Sequence, residues 1–171
     1  MKIKGFSLVE LLIVICLIAI VTTIASFSWQ RYVANSNLKT GARKVAADFA
    51  LYKAKAIAEG RDYTITIHLS PANNYDISAP AVVTSTGIQV LPAFAVNGVT
   101  PTEASQAQDA QITAVNFNGG SIITATQRGL VQPLAPPPND LGTITLTNTR
   151  GSTATVEIDS RGRVDVVFTN F

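Results

Sequence analysis

Apolar residues fill positions 8–24 almost completely, and Glu10 is the one charge between Phe6 and Trp29. No proline or glycine falls in that stretch. An apolar run near 20 residues suits a helix that crosses ~30 Å of hydrocarbon. The period then changes while the helix continues. Leu38, Ala42, Val45, Phe49, Tyr52 and Ala56 recur at alternating steps of four and three, with Lys39, Arg43, Lys44, Lys53 and Lys55 on other faces. That is an amphipathic helix laying one stripe on a core. Gly60 supplies a C′ stop, and Gly41 is a soft spot of about 1 kcal/mol. The pattern predicts one helix over residues 6–59, greasy all round in its first half and amphipathic in its second.

Beyond Arg61 the period falls to two. Residues 62–69 alternate Tyr63, Ile65, Ile67 and Leu69 with Asp62, Thr64, Thr66 and His68, as a half-buried strand does. Further strands are predicted at 88–91, 111–117, 143–147, 153–159 and 163–169. Asn118-Gly119-Gly120 and Thr149-Arg150-Gly151-Ser152 supply turn signals. Residues 78–108, rich in Ala, Thr, Val, Ser and Pro with little period, read as long loops. The proline-rich stretch 132–140 reads as a stiff surface connection, with a PxxP ligand as the alternative. One helix followed by consecutive strands predicts an α+β fold, an antiparallel sheet packed on the helix stripe.

Charge changes this picture by dividing the chain. Through Arg61 there are nine Lys/Arg against three acids, whereas from Asp62 onward four Arg face eight acids, a net of −4. A general nucleic-acid binder would need a positive surface to displace phosphate counterions. Cys16 is the single cysteine, so an intramolecular disulfide is excluded and packing must hold the fold. His68 is the single histidine, and one Cys with one His builds no ordinary zinc site. Paired carboxylates at motif spacing, phosphate loops and nucleophile elbows are absent from the sequence. No enzymatic activity and no cofactor are expected.

Two readings of the N-terminus compete. A secretory signal peptide would use Lys2 and Lys4 as its basic region and Thr23-Ile24-Ala25, before Ser26, as its cleavage site. The apolar run exceeds the ~7–15 residues such a peptide usually needs. An acid costs about 2.5–3.5 kcal/mol at the centre of a membrane and less near its interface, a liability without use in a disposable leader. Both arguments favour a spanning helix.

The residues Lys4-Gly5-Phe6-Ser7-Leu8-Val9-Glu10-Leu11-Leu12 resemble the processing signal of type IV pilins and type II secretion pseudopilins. The resemblance implies a pilin-like fold. It implies that a prepilin peptidase cuts between Gly5 and Phe6 and methylates the new amine of Phe6. Residues 1–5 are then a leader, 6–29 the transmembrane half of the helix, 30–60 its amphipathic half and 61–171 a periplasmic β-rich domain. Lys2 and Lys4 precede the span while Arg31, Lys39, Arg43 and Lys44 follow it, so positive charge alone does not orient the chain. The resemblance puts the N-terminus in the cytoplasm. It also gives Glu10 an assembly role, opposite the Phe6 amine of a neighbouring pilin or pseudopilin in a filament. A lone acid snorkelling at the interface is the alternative.

Two further motifs are similar to the GspH/FimT branch of that family. One is Tyr52-Lys53-Ala54-Lys55-Ala56-Ile57 ahead of Gly60, with Lys53 where the pattern usually has Arg. The other is Gly142-Thr143-Ile144-Thr145-Leu146 followed by Ile158-Asp159-Ser160-Arg161-Gly162-Arg163-Val164. This branch implies a structural minor pseudopilin of a type II secretion system, working at the tip of a filament attached to the inner membrane. The alternative is a FimT-like minor type IV pilin engaged in pilus assembly or DNA uptake. Arg161 and Arg163 are then the candidate DNA contacts, although Asp165 stands where a second arginine of a G-R-x-R ending would fall. A hairpin turn with solvated charges is the competing reading of Arg161-Gly162-Arg163.

Overall fold

The computed structural model describes residues 7–69, 71–83, 89–101, 109–132 and 141–169. Among the described residues there is one helix, α1, which runs unbroken over Leu8–Glu59. The strands are β1 (Tyr63–His68), β2 (Asn74–Ala79), β3 (Val82–Val83), β4 (Gln89–Leu91), β5 (Phe94–Val99), β6 (Gln111–Asn116), β7 (Ile122–Ala125), β8 (Val131–Gln132), β9 (Leu141–Thr147), β10 (Thr153–Asp159) and β11 (Val164–Thr169). The chain divides into two compact units, Met1–Val33 and Ala34–Phe171.

The first unit is helical, and its large apolar side chains, from Leu8 through Ile24, are exposed. α1 is long and apolar enough here to cross a membrane. Two of its hydroxyls are satisfied within the helix: Thr22 Oγ1 donates to the Ile18 carbonyl at 2.9 Å and Thr23 Oγ1 to that of Ala19 at 2.8 Å. Back-bonding of this kind removes the need for water around a polar group in hydrocarbon. Trp29 and Tyr32, whose tilted rings lie 6.2 Å apart near the end of this unit, are of the amphipathic aromatic type that gathers at membrane interfaces.

In the second unit α1 packs on antiparallel sheet. Five strands follow the order β5-β2-β1-β7-β8 and four the order β11-β10-β9-β6, while β3 and β4 form a separate hairpin. Every paired strand is antiparallel. Leu38, Ala42, Val45, Phe49 and Ala56 of the helix share one core with Ile65, Ile67 and Ile77 of the larger sheet and Ile144, Leu146, Val156 and Ile158 of the smaller. The stripe predicted at steps of four and three is therefore the buried face. Tyr52 lies at its margin, half-buried against the cluster. The helix ends as the glycine predicts: Gly60 has φ +63°, and the N–H of Arg61 reaches the Ala56 carbonyl at 3.2 Å. That is the 6→1 bond of a Schellman cap.

Several sequence expectations need correction. Leu69 falls after β1 and is 44 % exposed, so the inward alternation stops at Ile67. The segment 78–108 is not simply long loops around the strand predicted at 88–91, which is β4, because it also contains β3 and β5. β5 pairs with β2 through a register shift between Tyr75 and Ile77, and Gly98 has φ +69°. That irregularity on an edge strand breaks the two-residue period by which strands are recognised. β2 and β7 fall outside the predicted strands altogether, although β2 buries Tyr75, Ile77 and Ala79 in strict alternation. Of the proline-rich stretch, Gln132 closes the short β8, and 133–140 lie outside the described residues.

Candidate functional site

Gly5 and Phe6 lie outside the described residues. Glu10 sits in the first turn of α1, exposed. Ser7 immediately precedes the helix, and its carbonyl accepts the Leu11 N–H at 3.2 Å. Ser7-Leu8-Val9-Glu10 thus has the S-x-x-E spacing of a capping box, in which the acid also complements the positive end of the helix dipole. This local use of Glu10 competes with a role toward a neighbouring chain.

The two motifs far apart in sequence, one around Lys53 and one around Arg161, meet in the fold. Lys53 Nζ donates to the carbonyls of Arg161 at 2.6 Å and Gly162 at 3.1 Å. Gly162 has φ +69°, and a Cβ there would lie 2.7 Å from Lys53 Cδ, so both the backbone and the lysine exclude a side chain. An arginine at 53 would bring a planar fork to the same carbonyls, whereas the lysine brings a single rotatable ammonium.

The turn that Lys53 holds is one of three built alike. In residues 126–130, 148–152 and 159–163 a polar residue comes first, Arg third and Gly fourth. The glycines, Gly129, Gly151 and Gly162, all have positive φ. The first residue's carbonyl accepts the glycine N–H at 2.8, 3.1 and 2.8 Å, and its own N–H donates to the fifth residue's carbonyl. Its side-chain oxygen accepts the fifth N–H: Leu130 to Thr126 at 3.1 Å, Ser152 to Asn148 at 2.9 Å and Arg163 to Asp159 at 2.7 Å. This is the three-residue hairpin loop closed by a left-handed glycine. Each copy carries an arginine, Arg128, Arg150 or Arg161, at its tip.

Arg161 and Arg163 are therefore placed on the hairpin between β10 and β11. Arg163 Nε bonds Asp159 Oδ2 at 2.6 Å, with the arginine 77 % and the carboxylate 8 % exposed. Burial alone would raise the Asp159 pKa. The Arg163 side chain and N–H, with the Arg161 N–H, outweigh it and hold the carboxyl below its ordinary value.

A second polar network escapes sequence reasoning. Arg61, directly after the helix stop, is buried. Its Nη1 donates to the carbonyls of Pro92 at 2.6 Å and Pro80 at 3.2 Å, Nη2 to Tyr63 Oη at 2.9 Å and Nε to Glu59 Oε2 at 2.7 Å. Tyr63 Oη in turn donates to Glu59 Oε2 at 2.7 Å. The Tyr63 hydroxyl, then the Arg61 guanidinium, depress the Glu59 pKa against a desolvation that raises it. Tyr52, Tyr63 and Phe94 pack ring to ring beside it, with Lys55 Nζ 5.0 Å from the Tyr52 centroid. The signal was only a charge beside a glycine, which in sequence reads as surface.

His68 lies on the outer face of β1 and contacts Asp76 Oδ2 through Nε2 at 2.9 Å. Asp76 also accepts the Gly98 N–H at 2.7 Å, and that bond, then His68, lowers its pKa. Among the described residues no three of His, Cys, Asp and Glu gather closely enough to hold a metal ion.

Residues 1–26 match the family model described as the prokaryotic N-terminal methylation motif. No curated protein matches the sequence. Among solved structures the chain is similar to the minor pseudopilin EpsH from the type 2 secretion system of Vibrio cholerae. The identity is 12 %, over 77 % of this chain and 97 % of that one, with a TM-score of 0.49. It is also similar to the type IV minor pilin FimU of Pseudomonas aeruginosa in two crystal forms, both at 16 % identity. One form covers 76 % of this chain and 92 % of the other at a TM-score of 0.46. The second covers 80 % and 92 % at 0.48.

Proposed function

We propose that the chain is a structural minor pseudopilin of a type II secretion system. A prepilin peptidase cuts between Gly5 and Phe6 and methylates the Phe6 amine. The apolar half of α1 then holds the protein in the inner membrane, with its β-rich domain in the periplasm, until it enters a filament near the tip. The observation that carries this reading is the methylation motif over residues 1–26, continued by a helix unbroken from Leu8 to Glu59. No chemistry is asked of the domain; helix burial and subunit contacts do the work.

Cleavage would create a cation at Phe6, four residues before Glu10. In a bundle of such helices the carboxylate of one chain meets the amine of another. Two charges at ~4 Å attract by about 4 kcal/mol at an effective dielectric of 20. Desolvation offsets much of that gain, so the pair acts on register rather than on net stability. A subunit displaced along its neighbour leaves both charges uncompensated in hydrocarbon. Mass spectrometry of the mature protein tests the reading: it expects a chain starting at Phe6 and carrying one methyl group. A chain starting at Ser26 overturns it.

Two arginines on one turn favour a second reading, a FimT-like minor type IV pilin that contacts DNA in uptake. Against it, Arg163 is engaged by Asp159 and the next exposed residue is Asp165. Mobility shift of a DNA duplex by the detergent-solubilised chain separates the two. Binding retained at ~150 mM salt and lost on changing both arginines would favour uptake.

A further inference from the structure

We propose that the turns 126–130 and 159–163, with Lys53 and Ile57 of α1 between them, form a docking surface for an acidic, aliphatic-bearing face of another subunit of the same filament. The proposal rests on the filament reading above and names a surface for it. Three of the four arginines beyond residue 61 stand in these two turns, although that part of the chain nets −4. Arg128 and Arg161 occupy the same tip position of the same turn type, and both are exposed. Between them the surface is aliphatic, with Ile57 53 % and Leu130 43 % exposed.

The surface is built rather than incidental. Val131 N–H donates to the Ser160 carbonyl at 2.9 Å, tying the strand after one turn to the other turn. Lys53 grips the second turn through two carbonyls. The first closes over the same helix face: a Cβ on Gly129 would lie 3.1 Å from Ile57 Cδ1 and 3.8 Å from Lys53 Cε. The two cationic tips are thus held in place before any partner arrives, which lowers the ordering cost of binding.

An aliphatic centre inside a charged rim is the anatomy of a protein interface. A DNA backbone would bury neither Ile57 nor Leu130. An acidic protein face satisfies both the rim and the centre, and such complementarity selects partners and speeds encounter.

The test is co-purification of the full-length chain, in mild detergent, with each of the other pilin-like subunits encoded beside it. Wild type should retain one acidic subunit. R128E/R161E should reduce that retention by about tenfold or more. R150E makes one such charge reversal in the third, equivalent turn and should leave retention unaltered. Glu→Lys exchange in the partner's acidic face should restore binding to R128E/R161E. Unchanged retention by R128E/R161E overturns the surface and leaves the filament reading standing. Failure of wild type to retain any subunit overturns both. Retention of a fluorescein-labelled DNA duplex at ~150 mM salt, lost in R128E/R161E, assigns the surface to DNA and also overturns the proposal.

Discussion

Lys53 and Gly162 are fitted to each other: the lysine stem occupies the space a side chain on the glycine would need, and its ammonium donates to the carbonyl of that same residue at 3.1 Å. A helix residue and a hairpin residue 109 positions apart thereby depend on one another. The contact joins two motifs that sequence resemblance picked out separately.

Gly162→Ala should destabilise the protein by about 1–3 kcal/mol, since alanine is strained at φ +69° and also meets Lys53. Lys53→Met should rescue little of it, because the backbone strain remains. Thermal unfolding of the detergent-solubilised chain, followed by circular dichroism, checks both. An unchanged melting temperature for Gly162→Ala would contradict this account.

Replacing Arg61 by Met should cost about 2–3 kcal/mol, since Glu59, Tyr63 Oη and the carbonyls of Pro80 and Pro92 all lose a buried donor. The two prolines flank the β3–β4 hairpin. Protease cleavage should therefore appear between them at lower temperature than in wild type, with cleavage elsewhere unaltered. Equal cleavage rates would show that the hairpin is held by other means.

Acid sensitivity follows from the carboxylates held below their ordinary pKa. Asp159, Asp76 and Glu59 are all shifted downward in the folded state. In the unfolded chain such groups titrate near 4, so below that pH the unfolded state binds protons that the native state does not. Their stabilisation is full above the unfolded pKa and is lost as pH falls through the lower, folded value. Asp159→Asn should flatten the fall of melting temperature between about pH 5 and pH 2. An unaltered slope would mean that Arg163 does not hold the Asp159 proton off.

Glu10 has two competing uses, and a pair of variants separates them. Glutamine keeps a capping box but carries no charge. If the carboxylate meets a neighbour's amine, Glu10→Gln and Glu10→Ala should both insert in the membrane and both be depleted from filaments. If Glu10 serves only its own helix start, Glu10→Gln should assemble like wild type. Filament fractions probed by immunoblot give the answer.

Much of the architecture was legible in the chain because it is local. A run of apolar residues and a stripe at steps of four and three need only one turn of helix to be recognised, and α1 with its buried Leu38, Ala42, Val45 and Phe49 follows from them. β10 likewise has its predicted bounds, since Ala154, Val156 and Ile158 alternate through a fully paired strand. β5 escaped because it lies at a sheet edge, where half-burial and an irregular register blur the period. The recurrent turn of polar residue, Arg and Gly was visible in the letters. Its meaning lay in hydrogen bonds that the letters do not display.

What the sequence determined alone was therefore the helix, its change of character and the inward face of its regular strands, because side-chain period is set by backbone geometry within a few residues. What only the tertiary structure decided was which strands pair, where Arg61 finds its carbonyls and why Lys53 stands over Gly162. Those depend on chain segments far apart in sequence closing on one core, and no local pattern records which of many closures leaves every buried donor with an acceptor.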